Sequence, residues 1–164
     1  MSGLPLLSLV IWIPIIGGLL VLAAGRLGSP GAARWTALLV ALLTFVASLP
    51  LFGSFDRGTA EMQFVEMASW IPVYNVNYYL GVDGISMPLI LLTTFFTVLV
   101  VIAGWEAVEV KVSQYLAAFL IMEGMMIGVF AALDAILFYV FWEGMLIPMF
   151  LIIGIWGGPR RVYA

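Results

Sequence analysis

Residues 134–156 read DAILFYVFWEGMLIPMFLIIGIW, and this stretch decides the fold class. A helix of about 20 residues, at about 1.5 Å per residue, crosses the ~30 Å hydrocarbon core of a bilayer. The stretch therefore predicts a membrane-spanning helix. Glu143 lies near its middle, at a depth where an ionised carboxylate is costly. Acids at this depth usually face a protein interior or a wet cavity, and they mark ion or proton paths.

Pro148 follows Glu143 within the same predicted helix. Its ring removes one backbone donor, which frees the carbonyl of Gly144 from its helical hydrogen bond. An acid beside a free carbonyl predicts a place where a water molecule is held or a proton is relayed.

The composition of the 164-residue chain indicates an integral membrane protein. It is 65% hydrophobic and 9% charged, whereas soluble domains carry about 25% charged residues. The chain contains no Cys and no His, which excludes disulfides, Cys/His zinc sites, iron–sulfur ligation and His-ligated haem within it. We therefore expect no cofactor and no metal in this chain. The sequence has no basic patch of the kind that would indicate nucleic acid as a partner.

The apolar runs predict an all-α fold, a polytopic transmembrane helical bundle with five spans in one membrane domain over residues 1–164. Residues 26–34 are expected to form a short turn, and Glu106, Glu109 and Lys111 a charged turn. The five spans are placed at residues 4–25, 35–52, 84–105, 112–133 and 135–156.

A long loop, residues 53–82, separates the second span from the third. Its alternation of aromatic and polar residues predicts short strand-like or interfacial pieces. Asp83 is expected to cap the third span, because an acid suits a helix N-cap. Asp134 is expected to occupy a tight turn before the fifth span.

Basic residues predict the orientation in the inner (cytoplasmic) membrane of a bacterium. Arg57 lies at one end of the five spans, and the other five basic residues lie at the opposite end. The positive-inside rule places the richer end in the cytoplasm. The N-terminus and the 53–82 loop are then outside, and residue 164 is on the cytoplasmic side. The cytoplasmic group is Arg26, Arg34, Lys111, Arg160 and Arg161.

Glu123 and Glu143 are the carboxylates placed well inside the predicted spans. Counted from the turn at Asp134, both lie roughly 13–17 Å below the outer surface at about 1.5 Å per residue. Burial disfavours an ionised carboxylate and a nearby cation favours it, so such acids suit proton relay. The spans contain no Lys or Arg, so the cation must come from elsewhere. The alternative is a protonated Glu that serves helix packing. We take Glu143 as a relay candidate and leave the two readings of Glu123 equal.

Two stretches resemble a known family. They are YYLGVDGISMPLILLTTF, residues 78–95, and IGVFAALDAILFYVFWEGMLIPMFLIIGIWGGPRRVYA, residues 127–164. Both resemble chain M of proton-translocating NADH-quinone oxidoreductase (respiratory complex I), the mitochondrial subunit-4 type of the antiporter-like family. The combination of GVDGIS, FWEGMLIPM and WGG carries the resemblance. It matches the N-terminal third of such a protein, so we expect a piece of a longer subunit.

The resemblance implies a role for Glu143. In the family, the acid of the FWE motif is an essential part of a proton half-channel and works with a lysine on a later helix. The chain would then be a non-redox translocase subunit in the membrane arm, coupled to NADH oxidation and quinone reduction. It would bind no NADH, iron–sulfur cluster or quinone head group, and this segment alone would not be catalytic. Its partners would be other membrane-arm subunits, especially antiporter-like neighbours, and the lipid bilayer.

Two alternatives stay open. One is a subunit of a related multisubunit cation/proton antiporter or membrane-bound hydrogenase, for which the accompanying subunits differ. The other is a non-catalytic membrane scaffold, in which Glu143 tolerates replacement.

Overall fold

Five long helices dominate the chain, which a computed structural model describes over residues 4–161. All five are long and apolar enough to cross a membrane. The predicted all-α bundle of five spans is therefore confirmed, and the chain is a multi-pass membrane protein. The helices are α1 (Leu6–Leu27), α2 (Pro30–Gly53), α3 (Ser86–Ala107), α4 (Val112–Ala131) and α5 (Ala135–Trp156).

Helix α4 lies at the centre of the bundle. It packs against α1, α2, α3 and α5, whereas α5 packs mainly on α4. Close approach depends on small residues, as is common between membrane helices. A Cβ at Gly17 would lie 2.2 Å from a Val40 methyl on α2, and a Cβ at Gly18 would lie 2.8 Å from Ile121 on α4. The two adjacent glycines of α1 thus allow α2 to pack closely on one side of the helix and α4 on the other.

The predicted turn at residues 26–34 is wrong over most of its length. Helix α1 continues to Leu27, and α2 begins at Pro30 rather than at residue 35. The Ser29 hydroxyl accepts a hydrogen bond from the Ala32 amide at 3.3 Å, and proline at the first helical position suits the backbone there. These two residues start a helix before the apolar run begins.

The ends of the first, third and fourth spans also differ from the prediction. The first and third helices lie about one half-turn later than residues 4–25 and 84–105, and α4 ends at Ala131 rather than at residue 133. Apolar runs mark the middle of a span, while local partners decide where the helix ends. Leu133, for example, donates its amide to the Tyr79 carbonyl at 2.8 Å instead of continuing α4. Only the fifth span, residues 135–156, has the predicted bounds.

Asp83 caps α3, as predicted. Its carboxylate accepts hydrogen bonds from the amides of Ile85 at 3.0 Å and Ser86 at 2.7 Å. The Ser86 amide, followed by that of Ile85, holds the pKa of Asp83 below its ordinary value. α3 begins at Ser86, three residues after Asp83, and it continues to Ala107, so Glu106 lies in the helix rather than in the expected charged turn.

The long loop contains an antiparallel hairpin, where strand-like pieces are expected. Strands β1 (Gln63–Ile71) and β2 (Val76–Val82) are joined by a short 3₁₀ turn. Asn75 ends that turn with a φ of 53°, a left-handed conformation that Asn tolerates. The hairpin covers the end of the bundle at which α1, α3 and α5 begin.

Glu66 attaches the hairpin to α1. Its carboxylate accepts the Leu7 amide at 2.8 Å and the Ser8 amide at 3.2 Å, and it also accepts the Ser8 hydroxyl. These amides lie in the first turn of α1, where backbone donors lack partners and a negative charge is favoured. An acid from a distant strand thus caps the helix, a role the sequence analysis missed.

Asp134 attaches the hairpin to α5 in the same way. Its carboxylate caps α5 by accepting the amides of Ile136 and Leu137, and it also accepts the Asn77 amide of β2 at 3.0 Å. The Asn77 amide, and then that of Leu137, hold the pKa of Asp134 below its ordinary value. Its contribution to stability is therefore present above the unfolded-state pKa and is lost as the pH falls through the lowered folded-state value.

We predict that Glu66→Ala loosens the hairpin from α1. Two amides lose a charged acceptor, which costs about 1–3 kcal/mol of local stability. Hydrogen–deuterium exchange should become faster at Leu7 and Ser8 and along β1. Glu61→Ala is the matched control, because Glu61 is exposed in the same loop. Equal exchange in the two variants would contradict this role for Glu66.

Candidate functional site

Five polar side chains are buried inside the bundle, and they share one level between α2, α3 and α4. We call them the polar layer. Along each helix, inward-facing residues recur every three or four positions, as expected for a helix face packed on its neighbours. No other polar or charged side chain of the described residues 4–161 is buried. The polar layer consists of Thr44 and Ser48 on α2, Thr94 and Thr97 on α3, and Glu123 on α4.

The polar layer separates two apolar clusters. The hairpin-side cluster lies toward the hairpin, and the basic-side cluster lies toward the end that carries most of the basic residues. The hairpin-side cluster includes Leu51 on α2, Ile90 on α3 and Ile127 on α4, and the basic-side cluster includes Ala41, Val101 and Leu120 on the same helices. Since all three helices pass through the two clusters and the layer in register, the polar groups are enclosed above and below.

Glu123 is the ionisable residue of the polar layer. Its side chain is 1% exposed. Neither carboxyl oxygen has a hydrogen-bond partner within the part of the chain that the structure describes. Thr97 adjoins this carboxyl group, but its hydroxyl donates to the Thr93 carbonyl at 3.0 Å. The acid is therefore buried among groups that give it no proton.

Glu143 lies on the outward face of α5. The buried residues of α5 are Leu137, Phe141 and Pro148, which form the stripe that packs on α4. At about 100° per residue, Glu143 points roughly 200° away from Phe141 around the helix. Its side chain is exposed in the described chain.

The outward face around Glu143 is otherwise apolar. The flanking side chains one or two turns away are large and exposed: Tyr139 by 59% and Ile147 by 66% at one turn, and Phe150 by 76% at two turns. Gly144 and Pro148, by contrast, lie on the α4 side, where a Cβ at Gly144 would be 3.1 Å from the Met125 sulfur. The acid and the proline that follows it thus belong to different faces of the helix.

The two acids share a depth but not a face. Each lies eight residues from the end of its helix at the α4–α5 turn, or about 12 Å from that end at 1.5 Å per residue. The contact between α4 and α5 lies between them, because Glu123 faces α3 and Glu143 faces away from α4. They do not form a pair within the described chain.

The hydroxyls of the polar layer were missed by the sequence analysis. A signal was present, since Thr44 and Ser48 are four residues apart, and Thr94 and Thr97 are three apart, in otherwise apolar spans. Each pair therefore shares one face of its helix. What the sequence did not reveal is that the α2 face meets the α3 face at Ser48 and Thr94, and that Thr97 adjoins Glu123.

An apolar groove of about 490 Å³ opens between α1, α4, α5 and the hairpin. Aromatic side chains dominate its lining, with Trp12, Trp70, Tyr78 and Phe141 among them. Neither Glu123 nor Glu143 lines it. The groove suits hydrocarbon rather than a charged ligand, and it does not connect the two acids.

Comparisons with known proteins give one family. The family model described as NADH-ubiquinone oxidoreductase chain 4, amino terminus, matches residues 31–133. NADH-quinone oxidoreductase subunit M of Rhodobacter capsulatus is 47% identical over 162 residues, which cover 97% of this chain and 31% of that protein. NADH-ubiquinone oxidoreductase chain 4 of Arabidopsis thaliana is 44% identical over 155 residues, covering 94% of this chain and 31% of that protein.

A solved structure has the same fold. It is a chain of respiratory complex I from Thermus thermophilus with bound NADH, with a TM-score of 0.78 and 31% identity. The match covers 96% of this chain and 30% of that one. This chain therefore spans about a third of the length of the relatives it matches.

We predict that Gly124→Ala disturbs the helix that carries Glu123. A Cβ at Gly124 would lie 2.5 Å from the Ile11 carbonyl oxygen, and α1 would have to move because a backbone atom cannot rotate away. Overpacking of this kind costs about 1–3 kcal/mol, which should lower the thermal stability of the detergent-solubilised protein. Gly154→Ala is the control, since nothing lies within 4 Å of a Cβ there. A stability loss as large in the control would contradict the role of this contact.

Proposed function

Because this chain belongs to the family of NADH-ubiquinone oxidoreductase chain 4, also named subunit M, we propose that it is a membrane-arm subunit that conducts protons in an NADH-quinone oxidoreductase. One observation carries the proposal: an ionisable residue, Glu143, is kept at mid-depth in a helix that is otherwise suited to hydrocarbon. An ionisable group inside a membrane is costly, and the usual reason for one is the passage of an ion or a proton.

Glu143 is proposed as the proton relay. Its carboxyl group lies on an apolar, exposed helix face, where contact with lipid would leave it without polar partners. We infer that another helix of the assembled protein covers this face. A cation on that helix would favour the ionised acid, and its withdrawal would favour proton uptake. The basic residues within the five described helices are Arg26, in the last turn of α1, and Arg34, near the start of α2, and neither lies at the depth of Glu143 to supply this charge.

The proposed chemistry involves protons only. The ionised carboxylate accepts a proton from water on one side, and the resulting neutral acid releases it to water on the other, without any change of oxidation state. We infer that the redox groups and the quinone site lie outside this segment, which has neither the Cys nor the His that ligate iron–sulfur clusters and haem. The proposed partners are other membrane-arm subunits, especially neighbouring antiporter-like subunits.

The proposed orientation places the hairpin outside the cytoplasm of a bacterium. The hairpin end carries Asp56, Glu61, Glu66, Asp83 and Asp134 against a single basic residue, Arg57. The other end carries five basic residues, and basic loops are retained on the cytoplasmic side. The N-terminus would then be outside as well.

We predict that Glu143→Gln strongly reduces proton pumping and coupled quinone reduction in the complete enzyme. The amide keeps the size and polarity of the side chain but has no dissociable proton. Glu143→Asp should retain much of both activities because it restores the acid. The measurement is NADH-driven acidification of inverted membrane vesicles, with NADH oxidation by an artificial acceptor as the test of assembly.

Glu109→Gln serves as the matched control for Glu143→Gln. Glu109 is an exposed acid outside the spans, so its loss should leave pumping unchanged. Full pumping in Glu143→Gln, with normal assembly, would refute the relay and favour a scaffold.

We predict that a cysteine in the hairpin loop reacts with a membrane-impermeant maleimide in intact cells. Residues 1–164 contain no native Cys, so labelling gained by Glu61→Cys over the parent protein reports the introduced thiol. Glu109→Cys, at the other end of the bundle, should react only after the membrane is opened. The reverse pattern would invert the proposed orientation.

A further inference from the structure

The polar layer has no part in the relay proposed for Glu143, and its composition raises a separate question. A buried carboxyl group needs hydrogen-bond partners, and the partners available depend on whether it carries a proton. An ionised carboxylate only accepts hydrogen bonds, so it needs donors. A neutral carboxyl group donates one hydrogen bond itself, so it needs an acceptor.

The hydroxyls of the polar layer are already committed as donors. Each has one proton, and each has a carbonyl of its own helix within hydrogen-bond distance. Ser48 and Thr94 also lie 3.0 Å apart, so one of these two hydroxyls has a choice of acceptor. The donor–acceptor distances are 2.9 Å for Thr44 to Val40, 2.7 Å for Ser48 to Phe45, 3.0 Å for Thr94 to Leu91 and 3.0 Å for Thr97 to Thr93.

The layer therefore presents oxygen lone pairs, not protons, to Glu123. Thr97 is the hydroxyl that adjoins the acid, and its oxygen can still accept because its own proton goes to the Thr93 carbonyl. No cation compensates a charge here, since the helices around Glu123 contain no Lys or Arg at this level. Within the described chain, these surroundings match a neutral carboxyl group and leave an ionised one unsatisfied.

We propose that Glu123 is a proton-holding site, in which a neutral carboxyl group donates to the Thr97 hydroxyl and exchanges its proton with water. Release converts the acid into a carboxylate and adds one proton to water, and uptake reverses this step. Nothing is oxidised or reduced. The occupancy of the site by a proton rests on the packing alone, whereas its use in translocation rests on the proposed function.

The flanking clusters make this a closed site in the present conformation. Leu51 and Ile90 lie between the layer and the hairpin end, and Val101 and Leu120 lie on the other side. Exchange with water requires one of these apolar clusters to part, so the proton stays on Glu123 until then. The site is also separate from Glu143, which lies across the α4–α5 contact at the same depth.

The first experiment measures the proton itself in the complete enzyme reconstituted in lipid. The infrared spectrum should contain the carbonyl stretch of a neutral carboxylic acid that shifts in heavy water, and Glu123→Gln should remove that band. If Glu123→Gln removes no such band, the acid is ionised and the proposal is overturned.

Substitutions at Thr97 test whether it is the hydrogen-bond acceptor of Glu123, and they leave Glu123 itself unchanged. Thr97→Val keeps the shape of the side chain and removes its oxygen, so the Glu123 band should move to the frequency of a more weakly hydrogen-bonded acid. Thr93→Val is the matched control on the same helix, because the Thr93 hydroxyl donates to Leu89 outside the layer. An unchanged band in Thr97→Val would overturn the assignment of Thr97. This arm keeps the test valid if Glu123→Gln does not assemble.

The use of the site is tested by pumping. Glu123→Gln preserves size and hydrogen bonding, so a packing role predicts full pumping, whereas a proton-carrying role predicts a loss that Glu123→Asp partly restores. Assembly is checked by NADH oxidation with an artificial acceptor. Full pumping in Glu123→Gln overturns its use in translocation, and the infrared band then reports a static proton. The outcome is independent of Glu143→Gln, so failure of either relay is distinguishable from failure of the other.

Discussion

Hydrocarbon offers no hydrogen bonds, and this constraint explains where most polar groups inside the described helices lie. Helices satisfy their own backbone groups, which leaves the helix ends and the few polar side chains to be satisfied by the rest of the protein. The hydroxyls of the polar layer meet this requirement by bonding to carbonyls of their own helices. Among the buried carboxyl and hydroxyl groups of the described residues, Glu123 is the one left without a partner. The position of one acid thus becomes informative because the surrounding phase allows so few alternatives.

The same constraint explains the hairpin. At the end where α1 and α5 begin, the unpaired amides are covered by acids from elsewhere in the sequence or from the preceding turn. Glu66 serves α1 from β1, and Asp134 serves both α5 and β2. At the opposite end, Arg34 donates to the Val108 carbonyl and Trp156 to the Val110 carbonyl. Helix ends are therefore joined by side chains, while the helix middles are joined by close apolar packing.

The two acids lie at one depth but have different surroundings, and this is why we propose different roles for them. Glu123 is enclosed by two apolar clusters and faces fixed oxygen atoms, which suits the retention of a proton. Glu143 lies on an open apolar face, and in the proposed function its charge state would depend on what covers that face. If both proposals hold, the protonation state of Glu123 is set by the packing of this chain and that of Glu143 by a covering helix. Proton movement through such a subunit would depend on packing changes as well as on charge.

By itself, the sequence determined the membrane environment, the number of spans and the candidate acids, because hydropathy and helix length are properties of consecutive residues. It also determined the cap at Asp83, since this acid acts on amides two and three residues ahead, whereas Asp134 was expected only to occupy a turn and its role as a cap came from the structure. The sequence also contains the signals for a helix start at Pro30, namely Ser29 as a cap followed by proline. The Gly, Ser and Pro content of residues 26–34 nevertheless led to the prediction of a turn. The partners of Glu66, the alignment of Thr97 with Glu123 and the opposite faces of the two acids were decided only by the tertiary structure. These depend on how each helix is rotated about its axis, and neighbours distant in the chain set that rotation.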